Sequence, residues 1–319
     1  MAEVSYITIH ADREGQRLDN FLLFTLKGAP KSLIYRIIRK GEVRVNKGRA
    51  KPEQKLLSGD VVRIPPVRLA EKAPKPKPSE GLIRELTSRI LIDRPELLIV
   101  DKPAGLAVHG GSGISLGLIE SLRQLYPEYR SLELVHRLDR ETSGCVIVAK
   151  KRSALRYLQQ LFREEGKQEG QISKSYSVLV QGAWPQEQRV VDAPLLKNEL
   201  QSGERMVKVH PDGKVSRTRF VVERYYDHAT LLCATPITGR THQIRVHAQY
   251  RGCPVVADEK YGASAFNKKM RELGFKRLFL HAARLSFRLP SGEEVIAEAP
   301  LPEDLSRPLE RLSSNESCC

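Results

Sequence analysis

Residues 132–150 read LELVHRLDRETSGCVIVAK and predict two apolar β-strands joined by a highly charged loop. The flanking segments are rich in Val, Ile and Leu, which is typical of strands. Within the loop, Asp139 lies between Arg137 and Arg140. Neighbouring guanidinium groups favour the ionised form of a carboxylate, so Asp139 is better suited to act as a nucleophile than as a general base at neutral pH. The alternative is a surface turn whose ion pairs are incidental.

Glu141 is a second carboxylate in this loop, two residues after Asp139. A glycosidase needs two carboxylates on opposite sides of the scissile bond, about 5–9 Å apart. Nothing in the loop fixes such an arrangement, so we interpret Glu141 as structural. A hydrolase that combines Asp139 with another carboxylate remains a distant alternative.

A second cluster of polar residues, TGRTHQIRVHAQYRG, occupies residues 238–252. Thr241 predicts a helix N-cap, with the helix continuing to Gly252. Arg245 then falls in or near the first turn, where the helix dipole disfavours a positive charge. An arginine at such a position needs an anionic partner, either a carboxylate or a phosphate. Asp139 is the candidate carboxylate.

No metal site is predicted. His242 and His247 lack acidic or cysteine partners at ligand spacing, so we interpret them as ordinary hydrogen-bonding histidines. The cysteines contain no Cys-x-x-Cys pair, which argues against both a zinc site and a disulfide framework. They are Cys145, Cys233, Cys253, Cys318 and Cys319.

The sequence also lacks the motifs of several large enzyme classes. It contains no GxxxxGK[ST], HExxH or GxSxG motif. The glycine cluster HGGSG at residues 109–113 does not have the GxGxxG spacing of a dinucleotide site. The sequence therefore predicts chemistry carried out by side chains alone, with no cofactor.

Residues 1–65 predict a small module of two helices and a few strands. Residues 17–27 and 30–40 place apolar side chains at helical spacing. Residues 42–46 and 59–65 alternate like half-buried strands. The second helix also has a basic face, formed by Lys31, Arg36, Arg39 and Lys40.

The positive charge is concentrated near the N-terminus. The formal net charge is +15 over 319 residues, and residues 1–80 hold 17 Lys/Arg against 9 Asp/Glu. About half of the excess therefore lies on a quarter of the chain. This concentration is typical of proteins that bind a polyanion, with solubility alone as the alternative. We predict that the four basic residues of the second helix contact RNA.

A proline- and lysine-rich segment, residues 66–88, predicts a linker between two domains. The second domain would occupy residues 89–312, before a polar tail at 313–319. It contains nine strand-like segments and two clear helices, at residues 114–126 and 153–165. Because the strands do not alternate regularly with helices, we expect an α+β fold with a mostly antiparallel mixed sheet.

Neither a membrane span nor a secretory signal is expected. The longest apolar runs are strand-sized and fall short of the roughly 20 residues that a membrane helix needs. The N-terminus lacks a basic start followed by an apolar stretch. We therefore expect a cytoplasmic protein without membrane contact. A monomer is expected because no apolar heptad or unpaired apolar stripe stands out.

Together, the two polar clusters resemble the RluA-type pseudouridine synthases. HRLDRETSG and GRTHQIRVH carry the likeness, which covers roughly residues 90–300. The N-terminal module is similar to the small alpha-L RNA-binding domain. The domain order is most similar to the branch of the family that modifies large-subunit ribosomal RNA in bacteria. Supporting segments are IVDKPAGLAVHGG (99–111), KSYSVLVQG (174–182) and RLFLHA (277–282).

The resemblance implies a role for each of five residues. Asp139 would be the essential aspartate, with Arg245 as its partner. Tyr176 would stack on the target uracil, and Leu280 would line the uracil pocket. Arg137 is associated with opening the RNA around a flipped nucleotide. The implied reaction converts specific uridines of large-subunit (23S-type) ribosomal RNA to pseudouridine without a cofactor or metal.

The alternative function is that of a non-catalytic ribosomal RNA-binding or ribosome assembly factor. The basic N-terminal module and the net charge would suffice for that role. They do not account for an arginine-flanked aspartate or for a second motif that supplies its partner.

Overall fold

A computed structural model describes most of the chain, which divides into two compact units, Met1–Lys75 and Pro76–Cys319. Part of the predicted linker, part of the glycine cluster and nearly all of the polar tail lie outside the described residues. The described residues are 3–26, 28–67, 77–110, 116–129, 131–164, 172–199 and 205–313.

The first unit combines two helices with a small antiparallel sheet, in the strand order β1-β4-β2-β3. Its elements are β1 (Ser5–Thr8), a 3-10 turn (Ala11–Arg13), α1 (Leu18–Thr25), α2 (Lys31–Arg39), β2 (Arg44–Val45), β3 (Gly48–Arg49) and β4 (Val61–Ile64).

Helix α2 has the two faces that its sequence predicts. Ile34, Ile37 and Ile38 are buried in a core that also includes residues of α1 and β4. The opposite face is exposed and presents Lys31, Arg36, Arg39 and Lys40, the last as the C-cap residue.

The second unit contains a ten-stranded sheet in the order β10-β13-β14-β9-β15-β8-β6-β5, with β7 paired to β8 and β16 paired to β15. A separate two-stranded sheet pairs β11 with β12. The strands are β5 (Ile90–Asp93), β6 (Leu97–Lys102), β7 (Glu133–Leu134), β8 (Ser143–Ala149), β9 (Ile172–Gln181), β10 (Val190–Asp192), β11 (Leu195–Glu199), β12 (Arg205–Val209), β13 (Arg217–Tyr226), β14 (Ala229–Pro236), β15 (Leu280–Arg288) and β16 (Glu294–Glu298).

Within the described strands, β8 and β15 form the single parallel pair, so the expected mostly antiparallel mixed sheet is confirmed. Gly144 lies opposite Ala282 in this pair and has φ +109°. A Cβ atom at Gly144 would lie 2.3 Å from the carbonyl oxygen of Ala282. Glycine is therefore required for the close approach of the two strands. That approach fixes the end of the charged loop that carries Asp139.

The described residues of the second unit also form six helices. They are α3 (Glu80–Ser88), α4 (Leu118–Leu125), α5 (Arg152–Glu164), α6 (Gln243–Tyr250), α7 (Ser264–Glu272) and α8 (Glu303–Glu310). No helix in the described part of the chain combines the length and apolar character needed to cross a bilayer.

The structure corrects two of the predicted boundaries. Regular structure resumes before residue 89, because α3 lies inside the segment predicted as linker, and the side chain of its N-cap Ser79 accepts a hydrogen bond from Leu82 N. Helix α4 begins at Leu118 rather than at residue 114. The Glu120 carboxylate accepts a hydrogen bond from Gly117 N, which satisfies a backbone donor at the helix start.

A third correction concerns α6. Its N-cap is His242 rather than Thr241, and the helix ends at Tyr250. His242 has φ 54° and ψ 18°, a left-handed backbone conformation that residues other than glycine rarely adopt. The cap therefore uses no side-chain hydrogen bond, and the imidazole is directed elsewhere. Strands β10 to β12 and helices α7 and α8 have no counterpart among the predicted elements.

Candidate active site

A cavity of about 480 Å³ brings the two polar clusters together. Its wall is formed by the charged loop before β8, the loop before α6 and parts of α5, β9 and β15. All five residues predicted to act in catalysis or substrate binding line it: Arg137, Asp139, Tyr176, Arg245 and Leu280.

Asp139 lies in the irregular loop between β7 and β8, with 21% of its side chain exposed. Its Oδ2 atom is 3.5 Å from Arg245 Nη1 and 3.6 Å from His242 Nε2. Both contacts involve the same carboxylate oxygen of Asp139, Oδ2. The carboxylate is thus held beside a positive charge and remains open to the cavity.

The predicted partner of Arg245 is Asp139, yet its shortest hydrogen bonds go to Asp258. Arg245 Nε and Nη2 donate to Asp258 Oδ2 and Oδ1, both at 2.7 Å. Arg245 is the third residue of α6, and this fully buried carboxylate offsets the unfavourable helix dipole. The remaining nitrogen, Nη1, faces Asp139. Asp258 therefore fixes the guanidinium orientation that the site uses.

The charge of Arg245 is secured by its surroundings. Burial acts to lower the pKa of Arg245, but its hydrogen bonds to Asp258 and the negative charges of Asp258 and Asp139 outweigh this effect and raise the pKa. The guanidinium also lies over the Tyr261 ring, 5.0 Å from its centroid. Such a contact between a cation and an aromatic face is favourable when both groups are shielded from water.

Gln243 anchors the loop that precedes α6. Its Oε1 accepts hydrogen bonds from Thr238 Oγ1 at 2.8 Å and Arg240 N at 3.0 Å. Its Nε2 donates to Arg217 O and Thr218 Oγ1, both at 2.9 Å. A buried primary amide can make four hydrogen bonds, and here all four are made. The loop that forms one wall of the cavity is therefore held to β13.

The cavity wall contains one carboxylate among the described residues, that of Asp139. Glu141 does not line the cavity; its side chain is 52% exposed and lies 3.6 Å from Arg140. The arrangement does not fit the two opposed carboxylates of a glycosidase.

The rest of the wall is apolar on one side and basic on another. Leu280 is 4% exposed, and partly buried Tyr176 packs against the adjoining core clusters. Arg163, Lys174 and Arg240 bring positive charge, and they are not among the predicted site residues. A flat apolar surface beside cationic groups is suited to a planar base attached to a phosphodiester backbone.

The two histidines of the second cluster both make hydrogen bonds, as predicted. His247 is buried and contacts Thr218 Oγ1 at 2.9 Å and Ala193 O at 3.0 Å. His242 Nδ1 lies 2.7 Å from Tyr261 Oη. No group of three or more His, Cys, Asp or Glu side chains that could hold a metal occurs in the part of the chain that the structure describes.

A second cavity, of about 440 Å³, lies in the first unit. It is lined by Arg39 of α2 together with residues that sequence reasoning did not select. Arg49 and Lys51 come about ten residues after α2 in the sequence. The turn between β2 and β3 brings them back beside Arg39. The basic surface of this unit therefore extends beyond the predicted helix face.

Comparison with known proteins finds matches for both units. The family model of RNA pseudouridylate synthase matches residues 96–250, and that of the S4 domain matches residues 16–62. The S4 match corresponds to the N-terminal RNA-binding module predicted from the sequence.

Similar proteins match over nearly the whole chain. "Ribosomal large subunit pseudouridine synthase C" of Pasteurella multocida is 54% identical, over 98% of this chain and 95% of its own length. The protein of the same name from Escherichia coli K12 is 55% identical, over 97% of each chain. The structure of human RNA pseudouridylate synthase domain containing 4 is 27% identical with a TM-score of 0.59, covering 73% of this chain and 97% of that one.

Proposed function

This chain belongs to the RNA pseudouridylate synthase family, and from that premise we propose that it converts uridines of large-subunit ribosomal RNA to pseudouridine with Asp139 as its catalytic residue. The chain is an RNA pseudouridine synthase. The observation that supports the residue assignment is the cavity that Asp139 shares with Arg245, Tyr176 and Leu280. The large-subunit substrate is supported by the names of the relatives that match nearly the entire chain.

The proposed reaction is an isomerisation. Uracil leaves the ribose, turns and rejoins the sugar through carbon 5, so the product has the same atoms as the substrate. The target base must first leave its stack, which costs a few kcal/mol. Phosphate contacts from the basic wall offset part of this cost. RNA in which the base is already unpaired, such as a loop, is the favoured substrate.

Asp139 would act as the ionised nucleophile. Its carboxylate attacks the anomeric carbon of the ribose or assists deprotonation of the sugar, with attack on the base as the older alternative. Arg245 would keep this carboxylate charged and aimed, since it contacts Oδ2 and is itself oriented by Asp258. A charge held in place before the reaction needs no reorganisation during it.

Three further residues would hold the nucleotide. Tyr176 would stack on the uracil ring, and Leu280 would pack against it from the buried side of the cavity. Arg137 is exposed at the rim and would occupy the space left in the RNA by the flipped nucleotide. Tyr176 would also assist removal of the proton from carbon 5.

The proposed substrate also implies a location and an assembly state. Ribosomal RNA is modified where ribosomal subunits are made, so we place the enzyme in the cytoplasm. Residues of one chain line the described cavity, and a monomer therefore suffices for the reaction.

We propose that residues 1–65 add RNA affinity, whereas residues 89–312 carry the chemistry. Replacing Arg36 and Lys40 with glutamine is expected to weaken RNA binding and make its salt dependence shallower. Each lost phosphate contact should reduce the slope of log K against log salt by roughly 0.7–0.9. The measurement is fluorescence anisotropy of a labelled stem-loop across a salt series.

The matched control for this variant is Lys268→Gln with Lys269→Gln. It removes the same charge from exposed positions on α7, away from the cavity. Its salt slope should stay at the wild-type value. Equal slopes for the two variants would mean that the N-terminal helix makes no specific RNA contact.

The proposed function is tested by mapping pseudouridine in ribosomal RNA from cells with and without the gene, by carbodiimide labelling and primer extension. Loss of one or a few large-subunit signals, restored by the wild-type gene, would establish both the activity and its sites. An unchanged map would mean that the substrate is another RNA.

A further inference from the structure

We propose that His242 is a positioning residue, which holds Oδ2 of Asp139 through an Nε2–H donor whose tautomer is set by Tyr261. The proposal rests on the proposed function, because it assigns His242 a role in aiming the nucleophile. The two side chains are adjacent in the cavity, with His242 Nε2 3.6 Å from Asp139 Oδ2. Hydrogen bonds between catalytic groups are often long in the absence of substrate and tighten in the substrate complex, and we expect the same of this contact.

The tautomer follows from the contacts of Tyr261. Its Oη accepts a hydrogen bond from Val207 N at 3.0 Å, so its own proton is available for His242 Nδ1 at 2.7 Å. In a neutral imidazole, an Nδ1 that accepts leaves the proton on Nε2. In the opposite tautomer, His242 Nδ1–H would donate to Tyr261 Oη, which would then accept two hydrogen bonds, one from His242 and one from Val207 N. The hydroxyl proton of Tyr261, which is 3% exposed, would then have no acceptor among the described residues.

The backbone of His242 supports a role for its side chain. A left-handed conformation is strained for a residue with a Cβ and persists only where the surrounding structure imposes it. Here the loop is fixed by the fully satisfied amide of Gln243. The result is an imidazole that lies between Tyr261 and Asp139 rather than capping α6.

The charges around His242 fit a neutral donor. Burial lowers the pKa of His242, and Arg245 and Lys260 lower it further, while Asp139 and Asp258 oppose the shift. A neutral imidazole orients the carboxylate without cancelling its charge. Arg245 supplies the counter-charge, so the two residues that contact Oδ2 have separate roles.

Two substitutions separate this role from a structural one. Glutamine places its amide nitrogen near the position of Nε2, so His242→Gln keeps a donor toward Asp139 and loses the Tyr261 partner. Asparagine places its amide oxygen near Nδ1, so His242→Asn keeps the Tyr261 partner and loses the donor. Asparagine also tolerates the left-handed backbone better than other residues with a side chain. A purely structural role would therefore favour the asparagine variant.

We expect kcat of His242→Asn to fall about 10-fold or more below that of His242→Gln, the loss typical of one hydrogen bond to a charged group, with unchanged KM for RNA. The measurement is single-turnover and steady-state pseudouridine formation, with melting curves to establish that both variants fold. An asparagine variant as active as the glutamine variant would overturn the proposal.

A second measurement is independent of activity. Nitrogen-15 NMR of the imidazoles in the full-length protein should show His242 as the Nε2–H tautomer, assigned by the resonance that His242→Gln removes. Tyr261→Phe keeps the ring beneath Arg245 and should shift this tautomer equilibrium. A wild-type Nδ1–H tautomer would overturn the proposal even if the enzyme is active. An inactive wild-type enzyme with the Nε2–H tautomer would instead contradict the proposed function.

Discussion

Asp139→Asn is expected to abolish pseudouridine formation, by at least about 10³-fold in kcat, while leaving RNA affinity unchanged. Asparagine has nearly the same size and shape, but it has no negative charge and cannot act as a nucleophile. The side chain makes two contacts longer than 3.4 Å and is partly exposed, so its loss of charge should affect stability little. Single-turnover assays on a target stem-loop, with enzyme in excess, measure the chemical step directly.

Glu141→Gln is the matched control. It makes the same chemical change two residues away, on an exposed side chain that does not line the cavity. We expect activity within a factor of about two of wild type, since a surface ion pair contributes at most about 1 kcal/mol to stability. Turnover by Asp139→Asn above a tenth of the wild-type rate would show that another group is the nucleophile.

The proximity of the two polar clusters could be predicted from sequence because each contains charged residues at positions where the local structure disfavours them. A charged loop between apolar strands and an arginine in the first turn of a helix both require a partner. That reasoning selected Asp139 and Arg245, whose side chains are 3.5 Å apart. Local rules of dipole and charge thus led to a contact between residues more than a hundred positions apart in the sequence.

Asp258 could not be found in the same way. It follows the short apolar segment CPVVA and carries no capping, spacing or alternation signal. Its function depends on Arg245 reaching it from another element, and on backbone donors of Lys260 and Tyr261 that bind Oδ1. Such a set of contacts exists only after the chain has folded. The same holds for Tyr261, whose hydroxyl joins Val207 to His242.

The errors in element boundaries have local causes. Prolines and lysines before residue 79 extend the predicted linker over α3, although Ser79 is of a residue type favoured at helix N-caps. Thr241 is a better N-cap than His242 by residue type, but residue-type preference takes no account of contacts such as that between His242 and Asp139. The second error coincides with the candidate site, where local preference is expected to fail.

The buried pair of Arg245 and Asp258 is expected to limit both stability and activity. Asp258→Asn leaves the guanidinium of Arg245 buried without its bidentate partner, which typically costs about 3–5 kcal/mol. The amide nitrogen of asparagine would also face a donor. Arg245 is 8% exposed and cannot recover its hydrogen bonds from water without leaving the site. We therefore expect a large fall in the denaturation midpoint and loss of most turnover.

An exposed pair of similar geometry provides the comparison. Arg94 donates to both carboxylate oxygens of Glu293, at 3.0 and 2.6 Å, but half of the Glu293 side chain is exposed. Glu293→Gln should lower the denaturation midpoint far less than Asp258→Asn, because water replaces the lost contacts. Urea unfolding of both variants measures the difference. If Asp258→Asn lost no more stability than Glu293→Gln, Arg245 would have another counter-ion, and Asp258 would not be what orients it toward Asp139.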